Sequence, residues 1–395
     1  MRIVYFHSGW DLYGASRSLL RLASAFRRDG HAVLAVLPRP GPLSAALRTA
    51  GVEVEDDVRL SVLHRSEFRF PQAVPFFAGL PGALIRCRRI LHRFRPDLVH
   101  SNTGAVFAGA LAAKLGGIPH LWHVRDMFDE FGVLWKGYGR GILAGADRVV
   151  CVSRAVAAQF DSFRGAAAKV LVLNNGFPPE EFRAPAGGWT PPVDELRRRW
   201  GVREGEAAIG ILGRIKLGRK GHEVLARAAR TLLERGIEHF RIIILGTPFP
   251  GNEEHEVRLR RLAGELELGD RFALVGEMED PRPAYAALDA VVLASARPEP
   301  FGGVVIEAMA MGKPVVGTAL GGTVEQIEDG ATGFLVPPND STAMADALAR
   351  LLVDPALRAR MGAAGRQRFE AKFAFADMYA RMLGLYREIV GAQKR

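Results

Sequence analysis

Arg297-Pro298-Glu299-Pro300-Phe301-Gly302-Gly303-Val304-Val305-Ile306-Glu307-Ala308-Met309-Ala310-Met311-Gly312-Lys313-Pro314-Val315-Val316 carries two carboxylates eight positions apart, Glu299 and Glu307, on either side of a Phe-Gly-Gly turn. A helix start follows the turn, and a strand, Pro314 to Gly317, follows the helix. Two glycines let backbone N–H groups approach a ligand closely. The helix that follows aims its positive dipole end at the same place. A carboxylate there repels phosphate, but as a hydrogen-bond acceptor it suits hydroxyls such as those of a sugar or ribose. The stretch therefore reads as one site with an anion-friendly backbone and hydroxyl-friendly side chains, a combination that suits a nucleotide sugar. A surface turn whose glutamates only cap a helix is the plainer alternative. Loops elsewhere in the chain weigh against it.

Working outward, the strand Ala208 to Leu212 is followed by Gly213-Arg214-Ile215-Lys216-Leu217-Gly218-Arg219-Lys220-Gly221. Arg214 and Lys220 sit after a strand and before a helix, where cations and backbone N–H groups suit a diphosphate. The Gly-Lys-Ser/Thr ending of a phosphate-binding P-loop is missing. Downstream of Pro314 to Gly317, Gly321-Gly322-Thr323 is a second glycine turn that opens a helix. Near the start, Ser8-Gly9-Trp10-Asp11-Leu12-Tyr13-Gly14-Ala15-Ser16 follows the first strand, and Gly9 and Gly14 allow close backbone approach. Its spacing does not match Gly-x-Gly-x-x-Gly, which argues against a nicotinamide or flavin cofactor. His123 ends the strand His120 to Val124, ahead of Arg125-Asp126, where it can give or take a hydrogen bond near neutral pH. A lone histidine is more often structural.

These loops sit on an alternation of strands and helices. The first half reads as strands Arg2 to His7, Ala32 to Leu37, Leu98 to His100, His120 to Val124 and Arg148 to Val152. Helices Ser16 to Arg28, Pro81 to Phe94 and Gly104 to Leu115 separate them. Loop residues (Pro185, Gly187, Gly188, Pro191, Pro192) then mark a linker over 185–206 that carries a short helix, Val193 to Trp200. A second series follows: Ala208 to Leu212, Arg241 to Leu245, Phe272 to Val275, Ala290 to Leu293 and Pro314 to Gly317. The tail, Asp377 to Val390, is amphipathic and helical. At 395 residues the chain exceeds what one core serves. The expectation is α/β, with domains over 1–184 and 207–374, and a helix over 375–395 packing back on the first. Two doubly wound parallel-sheet domains place a ligand cleft at the strand ends.

Composition narrows the class. The net charge is +10, and residues 1–185 hold nearly all of it: 24 Lys/Arg against 15 Asp/Glu. Between Phe68 and Pro96 there are six arginines and no acid, interleaved with Phe68, Phe70, Phe76, Phe77 and Phe94. Such a segment suits an anionic membrane surface or an acidic substrate, and a solvated helix face fits it as well. No nucleic-acid motif accompanies it. Cys87 and Cys151 are too few for a disulfide framework or a four-ligand metal site and read as isolated, reduced thiols. No apolar run reaches the ~18 residues of a membrane span, and Met1 to Phe6 reads as a strand rather than a signal peptide. The expected location is the cytoplasm, with peripheral attachment to the inner membrane face through 68–96.

Together these pieces resemble the retaining glycosyltransferases of the GT-B fold, and more narrowly family 4. The resemblance covers nearly the whole chain and is strongest from Gly210 to Pro338. Its most specific part runs from Glu299-Pro300-Phe301-Gly302 through Glu307-Ala308-Met309-Ala310 to Gly321-Gly322 and Asp329-Gly330-Ala331-Thr332-Gly333-Phe334. Gly213-Arg214 with Lys220-Gly221, and Asn175-Gly176 with Phe182, fit as well. The resemblance implies an acceptor-side first domain and a donor-binding second one. It implies that Arg214 and Lys220 bind the donor diphosphate and stabilise the leaving group. Glu299 would bond donor sugar hydroxyls, with the backbone of Phe301, Gly302 and Gly303 nearby and Gly213 opening the diphosphate loop. Glu307 would accept ribose hydroxyls, and Gly322 and Thr323 would add phosphate donors. The Gly9-to-Gly14 loop would close over the substrates, and His123 would contact the transferred sugar.

The implied reaction moves a glycosyl group from a UDP- or GDP-linked sugar to a hydroxyl of a glycan, lipid-linked or cell-envelope acceptor, with retention. Cations and helix N-termini would stabilise the departing diphosphate, so no metal and no resident cofactor is expected. Glu299 and Glu307 do not look placed as a glycosidase pair. A non-catalytic nucleotide-sugar binder and a GT-B epimerase are the alternatives. Two departures stand out. The family's Gly-x-Gly after the strand Arg241 to Leu245 is replaced by Gly246-Thr247-Pro248-Phe249-Pro250-Gly251, which bears on base contacts. Gly14 is followed by Ala15 where the family has a second glycine.

Overall fold

The computed structural model describes residues 1–56, 58–62, 73–128, 132 and 134–393. The chain divides into two compact units, Met1–Gly176 with Ala376–Arg395, and Phe177–Phe375. In the first, seven strands form one sheet: β1 (Arg2–Phe6), β2 (Ala32–Val36), β3 (Glu53–Glu55), β4 (Leu98–Ser101), β5 (His120–Val124), β6 (Arg148–Cys151) and β7 (Val170–Val172). Their order is β3-β2-β1-β4-β5-β6-β7, and every pair is parallel. The order reverses between β1 and β4, which makes that point the crevice of the sheet. Strands β1 and β2 are near-continuous apolar runs, as strands covered on both faces are; Ile3, Val4, Tyr5 and Phe6 are all fully buried.

The second unit has six parallel strands: β8 (Ala207–Leu212), β9 (Phe240–Leu245), β10 (Phe272–Gly276), β11 (Ala290–Leu293), β12 (Val315–Thr318) and β13 (Gly333–Val336). Their order is β10-β9-β8-β11-β12-β13, with the reversal between β8 and β11. Gly210 of β8 is fixed by packing: a Cβ there would meet Leu288 Cδ1 at 2.2 Å. Arg241 is buried inside β9, with Asp270 at 3.0 Å and Glu206 at 3.6 Å. A buried guanidinium needs such partners, since desolvation without them costs several kcal/mol.

The structure alters several expectations. β3, β7 and β13 are strands that the sequence reading left unassigned; β3 and β7 are three-residue edges, too short to show a period. The helix expected from Pro81 spans Ala73–Phe94 and runs through that proline, because its apolar contacts continue on both sides. Residues 68–72 of the basic segment lie outside the described residues. The stretch 185–206, expected as a linker, lies within the second unit. Its helix Val193–Arg199 buries Leu196, and Arg197 holds Asp289 at 2.9 Å. The chain enters that unit at Phe177 and leaves at Phe375. The two crossings are bonded, with Phe177 N–H donating to Phe373 O at 2.9 Å and Phe375 N–H to Phe177 O at 3.0 Å.

The tail helix, Phe375–Ala392, packs into the first unit through Tyr386. Its ring stacks on Phe26 at 4.8 Å, and its buried hydroxyl lies 3.0 Å from Tyr5 Oη and 2.5 Å from His100 Nδ1. Removing one member of a buried polar trio strands the others at about 1–3 kcal/mol. Tyr386→Phe should therefore lower unfolding stability by that amount in chemical denaturation of the full chain. A variant as stable as wild type would show that the hydroxyl contributes nothing.

Candidate functional site

In the second unit, the loops that follow β8, β9, β11 and β12 are locked together by glycines. Gly221 has φ +71°, and a Cβ there would lie 1.8 Å from Ala294 O. Gly321 has φ +59° and would drive a Cβ to 2.2 Å from Glu299 O. No L side chain fits either place, so the β8 loop is pressed on the β11 loop, and the β11 loop on the β12 loop. Backbone bonds complete the fit: Ala296 N–H to Arg219 O at 2.8 Å, and Gly322 N–H to Glu299 O at 2.8 Å. Gly246 must likewise lack a Cβ, which would sit 2.0 Å from Gly213 O, so the departing 246–251 loop still closes on the β8 loop.

This packing sets the expected site residues side by side. Lys220 Nζ donates to Glu299 Oε1 at 2.5 Å, and Ser295 Oγ donates to the same oxygen at 2.6 Å. Burial pushes the Glu299 carboxyl up. The charges of Lys220 and Arg219 and the hydrogen bonds from Lys220 and Ser295 outweigh it and hold the group below the usual carboxylate range. Phe301 is buried, and Gly302, at φ +70°, caps the helix Gly303–Ala310. The N–H groups of Phe301, Gly302 and Gly303 donate to no protein acceptor among the described residues, as expected at a helix start. Glu307, one turn along, accepts from Tyr285 Oη at 2.7 Å. Arg214 is half-buried, with its guanidinium over the Phe249 ring at 4.7 Å.

Gly322 and Thr323 stand differently from the expectation. Gly322 N–H is committed to Glu299 O, and Thr323 N–H to Leu320 O at 3.3 Å. The Thr323 hydroxyl is buried without a partner. The helix they open, Thr323–Gln326, is a single turn.

In the first unit, the loops after β1, β4 and β5 gather a second cluster. Arg125 is 8% exposed and donates to Asn102 Oδ1 at 3.3 Å, Asn175 Oδ1 at 2.5 Å and His123 Nδ1 at 3.2 Å. An imidazole that accepts at Nδ1 carries its proton on Nε2; His123 Nε2 is buried and has no partner. Burial, then the Arg125 charge and His100, hold His123 well below the usual histidine pKa, so it is neutral. His7 accepts at Nδ1 from Asn102 Nδ2 at 3.2 Å and reaches Ser16 Oγ at 3.0 Å. Gly9 lies against that pair: a Cβ would be 2.9 Å from Ser16 Oγ. Gly14 has open space around it and begins the helix Gly14–Arg28, two residues before its expected start.

The sequence reading missed Ser295, Tyr285, Asn102 and His7, and treated Arg125 only as a neighbour of His123. Ser295 had a signal, a hydroxyl at a strand end four residues before Glu299. Tyr285 had none, because the contact joins separate helices. Among the described residues no group of three or more His, Cys, Asp or Glu is arranged to hold a metal ion, and no helix is long and apolar enough to cross a membrane.

The family described as glycosyl transferases group 1 matches residues 192–368, and glycosyltransferase family 4 matches residues 13–181. A D-inositol 3-phosphate glycosyltransferase of Salinispora tropica is 33% identical over 344 residues, covering 82% of this chain and 69% of that protein. The Kribbella flavida enzyme of the same name is 35% identical over 232 residues, covering 56% of this chain and 52% of its own length. The chain thus spans about half the length of several curated relatives that it matches. The crystal structure of Anabaena HepE in complex with UDP-glucose has a TM-score of 0.82 at 23% identity, covering 98% of this chain and all of the other. The fold is GT-B, and the chain belongs to the family 4 glycosyltransferases.

The depressed Glu299 carboxyl has a consequence for stability. A group whose folded pKa lies below its unfolded value contributes stability above the unfolded value, and that contribution is lost as pH falls through the folded pKa. The loss therefore begins below the ordinary value of 4.5. Glu299→Gln, which cannot titrate, should lose less stability than wild type between about pH 5 and pH 3. Denaturant titrations across that range decide it; parallel curves would mean that Glu299 is not held in its charged form.

Proposed function

We propose that the chain is a retaining glycosyltransferase that moves a sugar from a UDP- or GDP-linked donor to an acceptor hydroxyl without a metal ion. The observation that carries the reading is the Lys220–Glu299 pair beside the Gly302-capped helix start, at the β8/β11 reversal. A parallel sheet binds its ligand there, and the site offers cations, free N–H groups and hydroxyl acceptors within one set of interlocked loops. Two points of likeness support it: relatives named as D-inositol 3-phosphate glycosyltransferases, and a structural neighbour solved with UDP-glucose.

In this reading Arg214 and Lys220 take the diphosphate, with the N–H groups of Phe301, Gly302 and Gly303 and the open backbone at Gly213. Glu307, oriented by Tyr285, accepts the ribose hydroxyls, and Glu299 accepts hydroxyls of the donor sugar. The Thr323 hydroxyl, rather than the committed N–H groups of Gly322 and Thr323, is the donor left for a phosphate oxygen. The roles proposed for the first unit are a hydrogen bond from His123 Nε2 to a sugar hydroxyl and substrate contact by the loop Gly9 to Gly14. The bond from the anomeric carbon to the diphosphate oxygen breaks, and a bond to the acceptor oxygen forms on the same face. The acceptor proton passes to the departing diphosphate. Preorganised cations stabilise the charge that develops on the leaving group.

A melting-temperature panel with UDP, GDP, ADP, TDP and CMP, with and without magnesium, tests the donor site, since a ligand of the folded state raises the transition. The expected result is a shift with one diphosphate, UDP or GDP, that is indifferent to magnesium. Arg214→Ala and Lys220→Ala should abolish that shift and lower turnover about 100-fold or more while the protein stays folded. Unchanged turnover in either variant would sink the diphosphate assignment.

We further propose that the first unit meets an anionic membrane surface through the helix Ala73–Phe94. Val74, Phe77 and Ile85 are 51%, 64% and 52% exposed, and Arg88, Arg89 and His92 are exposed on the half that follows. Apolar side chains that enter the acyl boundary and cations that meet headgroups make an interfacial helix. Arg93 is spent on Glu55, and Arg86 on Arg59 O at 2.7 Å. Flotation with phosphatidylglycerol vesicles should capture the protein at low salt and release it as salt screens the charges. Arg88→Glu with Arg89→Glu should abolish capture, and equal capture by neutral vesicles would count against this surface.

A further inference from the structure

Glu299 has two carboxylate oxygens in unlike situations. Oε1 receives both Lys220 Nζ at 2.5 Å and Ser295 Oγ at 2.6 Å. No protein donor among the described residues reaches Oε2, and the side chain keeps 15% of its exposure. Ser295 is fully buried. It is itself held in place: Thr318, at the end of β12, donates through Oγ1 to Ser295 O at 2.9 Å. One of the two donors on Oε1, Lys220, lies on the loop assigned to the diphosphate. The other sits at the end of a sheet strand and has no competing duty.

From this geometry we infer that Ser295 is a positioning residue, which pins Glu299 Oε1 so that Oε2 is presented to hydroxyls of the donor sugar when Lys220 turns toward the diphosphate. The inference rests on the donor-site reading above and adds a residue to it. A lysine on a flexible stem cannot both hold a carboxylate in one rotamer and engage phosphate oxygens fully. A hydroxyl on a strand end can hold it alone, since charge-assisted O–H donors make short, directional bonds. In support, the Ser295 hydrogen bond is one of the contributions that keep the Glu299 carboxyl ionised against its burial.

The test separates sugar recognition from nucleotide recognition. Affinities are measured calorimetrically for UDP against UDP-glucose and GDP against GDP-mannose, in wild type, Ser295→Ala, Ser295→Thr and Glu299→Ala. In the pair that wild type binds, Ser295→Ala should lose roughly tenfold or more in affinity for the nucleotide sugar and keep its affinity for the bare diphosphate. Ser295→Thr, which retains the hydroxyl, should recover most of the loss. In the Glu299→Ala background, Ser295→Ala should add nothing, as expected of residues that act through one another. The acid limb of kcat/KM should move to higher pH in Ser295→Ala, because a carboxylate that loses a donor is protonated more easily. Equal losses for diphosphate and nucleotide sugar would mean that Ser295 only supports the fold, and unchanged sugar affinity with an unmoved acid limb would overturn the positioning role. Wild type that binds none of the probes, or Glu299→Ala with full sugar affinity, would instead overturn the donor-site reading, and this inference with it.

Discussion

The second unit is organised by the absence of three Cβ atoms. At Gly221, Gly246 and Gly321 the backbone of one loop lies where a side chain would begin, against Ala294, Gly213 and Glu299 respectively. Because these approaches are backbone to backbone, no rotamer change can relieve them. They bring the β8, β9, β11 and β12 loops within reach of one another, and the polar contacts follow. Lys220 meets Glu299 because Gly221 lets its loop settle on Ala294, and the Glu299 backbone keeps its place because Gly321 turns beneath its carbonyl. The chemistry of the site is therefore set by steric permission first and by charge second.

Charge then decides what the permitted arrangement does. Glu299 is mostly buried, and an isolated carboxylate in that position would take up a proton. Lys220 and Ser295 prevent it. The result is an ionised acceptor next to a cation, which suits a ligand that carries both hydroxyls and phosphate. Glu307 is treated differently: it lies further along, one turn into the helix, and is oriented by the Tyr285 hydroxyl. Two carboxylates on one short helix and its preceding turn thus sit in distinct surroundings, one held by a cation and a hydroxyl and the other hydrogen-bonded to a phenol.

Much of this was legible in the chain. Gly302, Gly303, Gly321 and Gly322 marked the turns, and apolar runs between helical patterns marked ten of the thirteen strands. Lys220 and Glu299 were assigned to one site from loops 79 positions apart, because both follow strands of one parallel sheet. What the sequence withheld has physical causes. The edge strands β3 and β7 are three residues long, and no period can show in three residues. Pro81 looks like a helix start, yet packing on both sides carries the helix through it. The segment 185–206 has the glycine and proline content of a linker, but Leu196 and Trp200 are buried and Arg197 pairs with Asp289, contacts that composition cannot reveal. Side chains that orient others, such as Ser295, Tyr285 and Asn102, reach across elements, and only the folded chain shows their partners.

Two buried arginines show how partner chemistry separates structure from site. Arg241 is met by Asp270 and Glu206, so its charge is cancelled where it lies and it serves the sheet. Arg125 is equally buried, but its N–H groups are accepted by two amides and an imidazole, all neutral. Its neighbour Asp126 offsets part of the cost of burying the charge, while that carboxylate also accepts from Gly104 N–H at 2.9 Å. The positive field that remains falls on the histidines beside it. His7 is held down to about 3 by burial and by that charge, and His123 is held neutral in the same way. A histidine that stays neutral throughout the physiological range does not act as a proton donor of pKa near 7. It offers a fixed N–H instead, and with Nδ1 taken by Arg125 the N–H of His123 must be on Nε2. The arrangement in the first unit is therefore suited to hydrogen bonding rather than to acid–base exchange.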